Sequence, residues 1–179
     1  VATSEGEGFR RIPGPEEFDL LPDTDYVYLT SNNTIHGTQW QAFPHFDLPL
    51  ICDMSSDFLS RPVDVKNFDF IYAGIQKNVG PAGAVIGIAK HSYLETARQD
   101  LPIMLQYKTF FDHDSTYNTP PVFCIYFVNK VLHWLDERGG LKETERINKE
   151  KAAFVYDAID ASDGFYRPHA SKDSRSLMN

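Results

Sequence analysis

The chain has 179 residues, a length typical of about one domain, and its 42% hydrophobic and 23% charged residues exclude a disordered or linker-like protein. It carries 17 basic and 25 acidic residues, a formal net charge of −8 at pH 7. This acidic excess argues against nucleic acid and against an anionic membrane surface as partners, because phosphate groups are bound by clustered Lys and Arg.

The cysteines and the apolar segments indicate a reducing compartment. Cys52 and Cys124 are far apart in the sequence and fit neither a disulfide framework nor a zinc-ligand spacing. The most apolar run, residues 122–128, is much shorter than the ~20 residues that span a bilayer. No secretory signal opens the chain, so we expect a cytoplasmic protein, with an organelle such as a plastid as the alternative. Since the first residue is Val1 and not Met, we expect a processed product or a piece of a longer protein.

Four β-strands are predicted after a polar, turn-rich stretch at residues 1–24, which holds at most one short strand near 8–12. Their apolar runs lie at residues 26–30, 48–52, 68–73 and 84–89, and the first is ended by a turn at 31–33. Continuous apolar runs are typical of strands covered on both faces, as in α/β sheets. No amphipathic helix fits between the last three strands. The predicted fold is therefore α/β, with a mixed, mostly parallel sheet and flanking helices.

The C-terminal half is predicted to be helical. Pro120 and Pro121 favour a helix start, and residues 122–138 carry apolar side chains on one face before Gly139 and Gly140 end the helix. A second helix is predicted over about 141–159, ending near 162–164.

Two polar side chains follow buried strands, where ligands bind in open α/β sheets. Asp53 comes directly after the second predicted strand, and Lys77 follows the third. A carboxylate at such a place can hold a cation or a protonated ring nitrogen, and a lysine amine can attack a carbonyl. The alternative is that Asp53 caps a turn and Lys77 is an ordinary surface lysine.

The residues around this pair resemble phosphoserine aminotransferases. The similarity lies in Asp-Met-Ser-Ser at 53–56, Leu-Ser-Arg-Pro-Val-Asp-Val at 59–65 and Ile-Tyr-Ala-Gly-Ile-Gln-Lys-Asn-Val-Gly-Pro-Ala-Gly at 71–83. It continues at residues 31–37, 117–121, 139–140, 159–166 and 175–179. Members of this family are class V, fold-type I pyridoxal-phosphate enzymes. They are homodimers that make O-phosphoserine and 2-oxoglutarate from 3-phosphohydroxypyruvate and glutamate in serine biosynthesis.

The resemblance also implies roles for site residues. Lys77 would form the Schiff base with the cofactor aldehyde and would be the catalytic residue, while Asp53 would pair with the pyridine nitrogen. Thr34 would lie against the phenolic oxygen of the ring. The cofactor phosphate would be held by Gln76 and, from the neighbouring subunit, by Asn118 and Thr119. The partners implied are small molecules and a second copy of the chain, with no metal.

The similarity covers about the middle half of the family's chain. It implies that residues 1–165 are part of the cofactor-binding large domain and that residues 166–179 begin the connection to a C-terminal domain. We therefore expect the 179 residues on their own to have weak or no transaminase activity and poor stability.

Other interpretations stay open from the residues themselves. The chain could be a different fold-type I enzyme, such as a desulfurase or an alanine–glyoxylate aminotransferase, or a non-catalytic α/β module in which Lys77 is inert. Asn118 and Thr119 could cap the helix that follows them. The six histidines show no metal-ligand spacing, and Ser55 and Ser56 lie in no hydrolase motif.

Overall fold

A four-stranded sheet organises the computed structural model, which describes all 179 residues. The six strands are β1 (Val27–Thr30), β2 (Asn32–Asn33), β3 (Thr38–Gln39), β4 (Leu50–Asp53), β5 (Phe70–Gly74) and β6 (Val85–Ala89). The main sheet has the order β1-β4-β5-β6, in which β1, β4 and β5 are parallel and β6 is antiparallel. The four predicted strands and the mixed, mostly parallel sheet are confirmed.

The strand predicted near residues 8–12 is wrong. The chain forms a short 3-10 helix at Glu5–Glu7, and Gly8 and Phe9 both have positive φ, at 69° and 58°. Two successive residues in the left-handed region turn the backbone and prevent an extended run.

The turn predicted at residues 31–33 is also corrected. Asn32 and Asn33 form β2, which pairs antiparallel with β3, so the turn itself lies at residues 34–37. The Asn33 side-chain oxygen accepts hydrogen bonds from the backbone N–H groups of Ile35 (3.0 Å) and His36 (3.2 Å). Gly37 closes the turn with φ of 66°. An asparagine side chain that bonds its own turn is typical of such a tip.

The core lies against one face of the main sheet. Its buried residues are Val27, Leu29, Trp40, Leu50, Cys52, Met54, Phe68 and Ile71. The opposite face is only partly covered: Tyr28 is 49% exposed and alternates with buried residues along β1. The expectation that the strands are buried on both faces is therefore wrong for β1 and also for β6, in which no residue is buried. An apolar run indicates a preference for β-structure, but it does not show that other residues cover both faces of the strand.

Four α-helices follow the sheet: α1 (His91–Glu95), α2 (Tyr107–Asp112), α3 (Val122–Glu137) and α4 (Gly140–Asp160). The two long helices were predicted, and Gly139, with φ of 97°, separates them as expected. The helix cap predicted at Asn118 and Thr119 is wrong, because Pro121 precedes α3 and no side chain caps it. None of these helices combines the length and the apolar character that crossing a membrane requires.

The C-terminal segment, residues 166–179, lies along the β2–β3 hairpin and α4. Arg175 forms an antiparallel bridge with Thr38, and the Ser176 N–H donates to the Gly37 carbonyl at 2.8 Å. The Tyr156 hydroxyl of α4 donates to the Ser176 carbonyl, also at 2.8 Å. The segment therefore helps to hold the hairpin in place.

The pairing of Asp160 with Arg175 gives a pH-dependent contribution to stability. Two guanidinium–carboxylate contacts of 2.7 and 2.9 Å join them, and these hydrogen bonds from Arg175, helped by Lys172, lower the pKa of Asp160 to about 2. A lowered folded-state pKa stabilises the fold above the ordinary carboxyl pKa, and the contribution is lost as the pH falls towards 2. We expect Asp160→Asn to lower the urea midpoint by an amount that is constant above about pH 5 and shrinks below about pH 4. A difference that grew on acidification would contradict this assignment.

Candidate active site

The carboxyl ends of β4 and β5 meet at one edge of the sheet. Asp53 is the last residue of β4, Gly74 ends the neighbouring parallel strand β5, and Lys77 follows in the next turn. Ser55 connects the two strand ends, because its N–H donates to Asp53 Oδ1 at 2.8 Å and its hydroxyl accepts from the Gly74 N–H at 3.0 Å. The orientation of the Asp53 carboxylate is thus tied to the start of the turn that carries Lys77.

Lys77 lies at the outside of a turn whose inner side is buried. Ile75 and Val79 are almost fully buried and contact Cys124 of α3, and the Ile75 carbonyl accepts from the N–H groups of Val79 (3.1 Å) and Gly80 (2.8 Å). The Lys77 side chain is exposed and takes part in no ion pair. Its amine donates to the Thr34 hydroxyl at 3.2 Å. The turn is therefore rigidly anchored while the amine is accessible.

Thr34 reaches the amine from the tip of the β2–β3 hairpin. Its carbonyl accepts a hydrogen bond from the Asn179 side chain at 2.6 Å, and Asn32 donates to the Asn179 side-chain oxygen at 3.0 Å. Asn179 therefore supports the hairpin tip from the C-terminal segment. Its residue type alone does not predict this role, since the contacts span more than a hundred positions.

A buried carboxylate, Asp57, ties both ends of the hairpin together. It accepts hydrogen bonds from the Ser31 hydroxyl and from Gln39 Nε2, the latter at 3.0 Å. Arg61 lies 4.0 Å from it and also donates to the carbonyls of Trp40 and Gln41. Burial raises the pKa of Asp57, and the Ser31, Gln39 and Arg61 contacts oppose that rise. No local pattern in the sequence indicates this network.

Two tyrosines lie beside Asp53 on the partly exposed face of the sheet. Tyr72 is the register neighbour of Asp53 on β5, and the hydroxyls of Tyr28 and Tyr72 are 2.9 Å apart. The hydrogen bond with Tyr28, burial and the nearby Asp53 carboxylate together raise the pKa of Tyr72. This tyrosine pair was likewise not predicted from the sequence. The sequence feature that could have indicated the pair is a tyrosine at the position of β5 that pairs with Asp53 at the end of β4.

Of the remaining predicted site residues, Gln76 lies in the same turn as Lys77, whereas Asn118 and Thr119 lie elsewhere. Gln76 is exposed and folds back over Gly74, where a Cβ would lie 2.7 Å from Gln76 Oε1. Asn118 and Thr119 are exposed in the segment before α3 and make no hydrogen bond with any other residue of the chain. The structure therefore brings together Thr34, Asp53, Gln76 and Lys77, and it does not bring Asn118 or Thr119 to them. No group of three or more His, Cys, Asp or Glu side chains is arranged to hold a metal ion.

Known proteins that resemble this chain share both its sequence and its fold. Among curated relatives, the phosphoserine aminotransferases of Shouchella clausii and Bacillus subtilis are each 51% identical to it, covering 99% and 100% of this chain and 49% and 50% of those proteins. The chain spans about half the length of the curated relatives it matches.

Solved structures give the same result. The phosphoserine aminotransferase of Bacillus circulans subsp. alkalophilus superposes with a TM-score of 0.94 at 47% identity, over 97% of this chain and 48% of that one. The PLP-bound phosphoserine aminotransferase of Trichomonas vaginalis gives a TM-score of 0.87 at 39% identity, over 94% and 49%. An alanine–glyoxylate aminotransferase from Nostoc, with a TM-score of 0.69 at 16% identity, shares the fold.

The match to a family model covers most of the chain. The model is described as aminotransferase class-V, and it aligns with residues 13–179, which include both strand ends, the hairpin and the Lys77 turn. The fold of the chain is accordingly that of the fold-type I aminotransferases. The chain belongs to the class V aminotransferase family.

Proposed function

We propose that the full-length protein carrying this chain transfers the amino group of glutamate to 3-phosphohydroxypyruvate, forming O-phosphoserine and 2-oxoglutarate. The observation that carries the proposal is the placement of an accessible lysine amine beyond β5, with a carboxylate at the end of the adjacent parallel strand. The relatives that are about half identical to this chain are named phosphoserine aminotransferase, which supports this choice of reaction.

The side chains at this edge fit pyridoxal 5′-phosphate. Neither Lys77 nor Asp53 takes part in an ion pair, in a chain where thirteen other such pairs occur. The amine is therefore available to an aldehyde, and the carboxylate is available to a protonated ring nitrogen. The cofactor named in the Trichomonas structure is consistent with that donor set.

Each side chain then has a distinct task. When bound, the cofactor withdraws electron density from the α-carbon of the amino acid. Lys77 would attach the cofactor covalently and, as a free amine, would move a proton from the α-carbon of the amino acid to a carbon of the cofactor. Asp53 would hold a proton on the ring nitrogen, and Thr34 would lie against the phenolic oxygen. One lysine thus serves both as anchor and as acid–base group.

The phosphate of the cofactor is assigned to groups from two subunits. Gln76 follows β5 on the same turn as Lys77 and would contact the phosphate directly. Asn118 and Thr119 make no contact with this site within the chain, which supports a role at the site of a neighbouring subunit in a homodimer. We further propose that residues 1–165 belong to the cofactor-binding domain, that residues 166–179 lead to another domain, and that the protein works in the cytoplasm.

The test uses the full-length protein loaded with pyridoxal phosphate. We expect kcat/KM for 3-phosphohydroxypyruvate with glutamate to exceed that for glyoxylate with alanine by at least about 100-fold, because 3-phosphohydroxypyruvate carries a phosphooxymethyl group that glyoxylate lacks, and the charged hydrogen bonds to its phosphate are worth several kcal/mol together. Release of sulfide from cysteine is measured in parallel. A higher kcat/KM with glyoxylate, or rapid sulfide release, would refute the assigned substrates.

A further inference from the structure

A buried polar cluster joins the C-terminal segment to the β2–β3 hairpin. Its centre is Asn32 of β2, which is 1% exposed, and Ser176 beside it is fully buried. The Asn32 side-chain nitrogen donates to the Ser56 hydroxyl at 2.9 Å and to Asn179 Oδ1 at 3.0 Å. The Asn32 side-chain oxygen accepts from the Ser176 hydroxyl at 2.5 Å. Because an unpaired polar group would be costly here, the cluster holds Asn179 Oδ1 in one place.

Asn179 connects this cluster to the tip of the hairpin. The oxygen of its side-chain amide is held by Asn32, and the nitrogen of the same amide donates to the Thr34 carbonyl at 2.6 Å. The turn itself closes on Asn33, whose side chain accepts from two N–H groups of the turn and whose carbonyl accepts from a third. The Thr34 carbonyl takes no part in those bonds, so the Asn179 side chain is what fixes the Thr34 peptide group.

The Thr34 hydroxyl accepts one hydrogen bond and keeps one proton to donate. The bond that it accepts comes from the Lys77 amine, at 3.2 Å. Because a hydroxyl both accepts and donates, its own proton stays available to an acceptor beside the amine. An anionic oxygen is the strongest such acceptor, since hydrogen bonds to charged groups are stronger than neutral ones. The direction of that proton depends on the Thr34 backbone, which Asn179 holds.

We propose that Asn179 is a positioning residue that sets the Thr34 hydroxyl against the phenolic oxygen of bound pyridoxal phosphate. This inference rests on the proposed function, since it needs that cofactor beside Lys77. Without the Asn179 amide, the Thr34 peptide group bonds water and rotates, so the hydroxyl leaves the phenolic oxygen for part of the time. The contacts to the rest of the cofactor are unchanged, because Asn179 acts only through Thr34.

The experiment compares two cofactors on the full-length apoprotein: pyridoxal phosphate and its 3-deoxy analogue, in which a hydrogen replaces the phenolic hydroxyl. Dissociation constants come from equilibrium dialysis. We expect Thr34→Val to weaken pyridoxal phosphate binding about tenfold, the size expected for one hydrogen bond to a charged group, and Asn179→Ala to weaken it about fivefold. Both variants should bind the analogue within about twofold of the wild type, which also shows that they are folded. Asn179→Ala should have no further effect in the Thr34→Val background.

Gln41→Ala is the matched control, because it removes the same kind of hydrogen bond from the other end of the hairpin. The Gln41 side-chain nitrogen donates to the Arg175 carbonyl at 3.0 Å, so it also joins the hairpin to the C-terminal segment. Gln41 follows β3, which separates it from the tip that carries Thr34. We expect this variant to keep the wild-type ratio of the two dissociation constants.

Three results would show a general structural role and overturn the inference: equal weakening of both cofactors by Asn179→Ala, additive effects of Asn179→Ala and Thr34→Val, or an equal change of the ratio in Gln41→Ala. Wild-type affinity of Asn179→Ala for pyridoxal phosphate would overturn it as well. If Thr34→Val weakens both cofactors alike, Thr34 does not contact the phenolic oxygen, and the inference fails while the proposed substrates stand. Failure of the wild type to bind pyridoxal phosphate would refute the proposed function itself.

Discussion

Replacing Lys77 with alanine is expected to lower the turnover of amino transfer by at least about 10³-fold. General acid–base catalysis alone contributes roughly 10²- to 10⁴-fold, and the same change removes the covalent anchor of the cofactor. The fold is expected to survive, because the Lys77 side chain is exposed and its one contact is the Thr34 hydroxyl at 3.2 Å. Steady-state turnover of the full-length holoenzyme measures the loss of catalysis. Its visible absorbance measures the loss of covalent cofactor attachment.

Two variants separate catalysis from charge. Lys77→Arg keeps the positive charge but has no amine that can attack an aldehyde, so we expect it to be as inactive as the alanine variant. Lys66→Ala is the matched control, since Lys66 is an exposed lysine in the short turn before β5 whose amine makes no contact, and we expect wild-type turnover. Turnover within tenfold of the wild type in Lys77→Ala would exclude Lys77 as the catalytic residue.

Asp57→Ala is expected to produce the largest loss of stability, about 3–5 kcal/mol in the free energy of unfolding. Removing one member of a buried charged group is costly, and here Ser31 and Gln39 would lose their shared acceptor and the Arg61 guanidinium would lose the carboxylate 4.0 Å away. A loss of this size is a large part of the roughly 5–15 kcal/mol that holds a domain folded. Urea unfolding of the full-length protein measures this loss of stability, and amide hydrogen exchange in the β2–β3 hairpin shows whether the hairpin opens more readily.

A conservative variant and a surface control test whether the loss of stability comes from the contacts that Asp57 makes. Asp57→Asn keeps one acceptor oxygen, so we expect it to cost about 1–2 kcal/mol. Asp173→Ala removes an exposed carboxylate that has no hydrogen-bond or ion-pair partner, and we expect a change within about 0.5 kcal/mol. If Asp57→Ala matched the stability of the wild type, the network would not be what ties the two ends of the hairpin together.

Local signals in the sequence were sufficient for the main elements. The β-branched and aromatic runs predicted the four strands, and the helical spacing of apolar residues after Pro121 predicted α3, because burial and backbone preference act within a few residues. Asp53 and Lys77 were found in the same way, since each follows a strand and parallel strands end at a common edge. These predictions needed no knowledge of distant contacts.

The sequence by itself therefore determined the sheet and the two polar side chains, Asp53 and Lys77, at the ends of its strands. Only the tertiary structure decided what surrounds those groups: the hairpin that brings Thr34 to the Lys77 amine, the Asp57 network that ties the hairpin and the Tyr28–Tyr72 pair on the strands flanking Asp53. The residues that these contacts join are about twenty to forty-five positions apart in the sequence. A local sequence pattern does not distinguish one polar side chain from another. Which donor meets which acceptor is settled by strand register and by the cost of burying an unpaired polar group, and both exist only once the chain has folded.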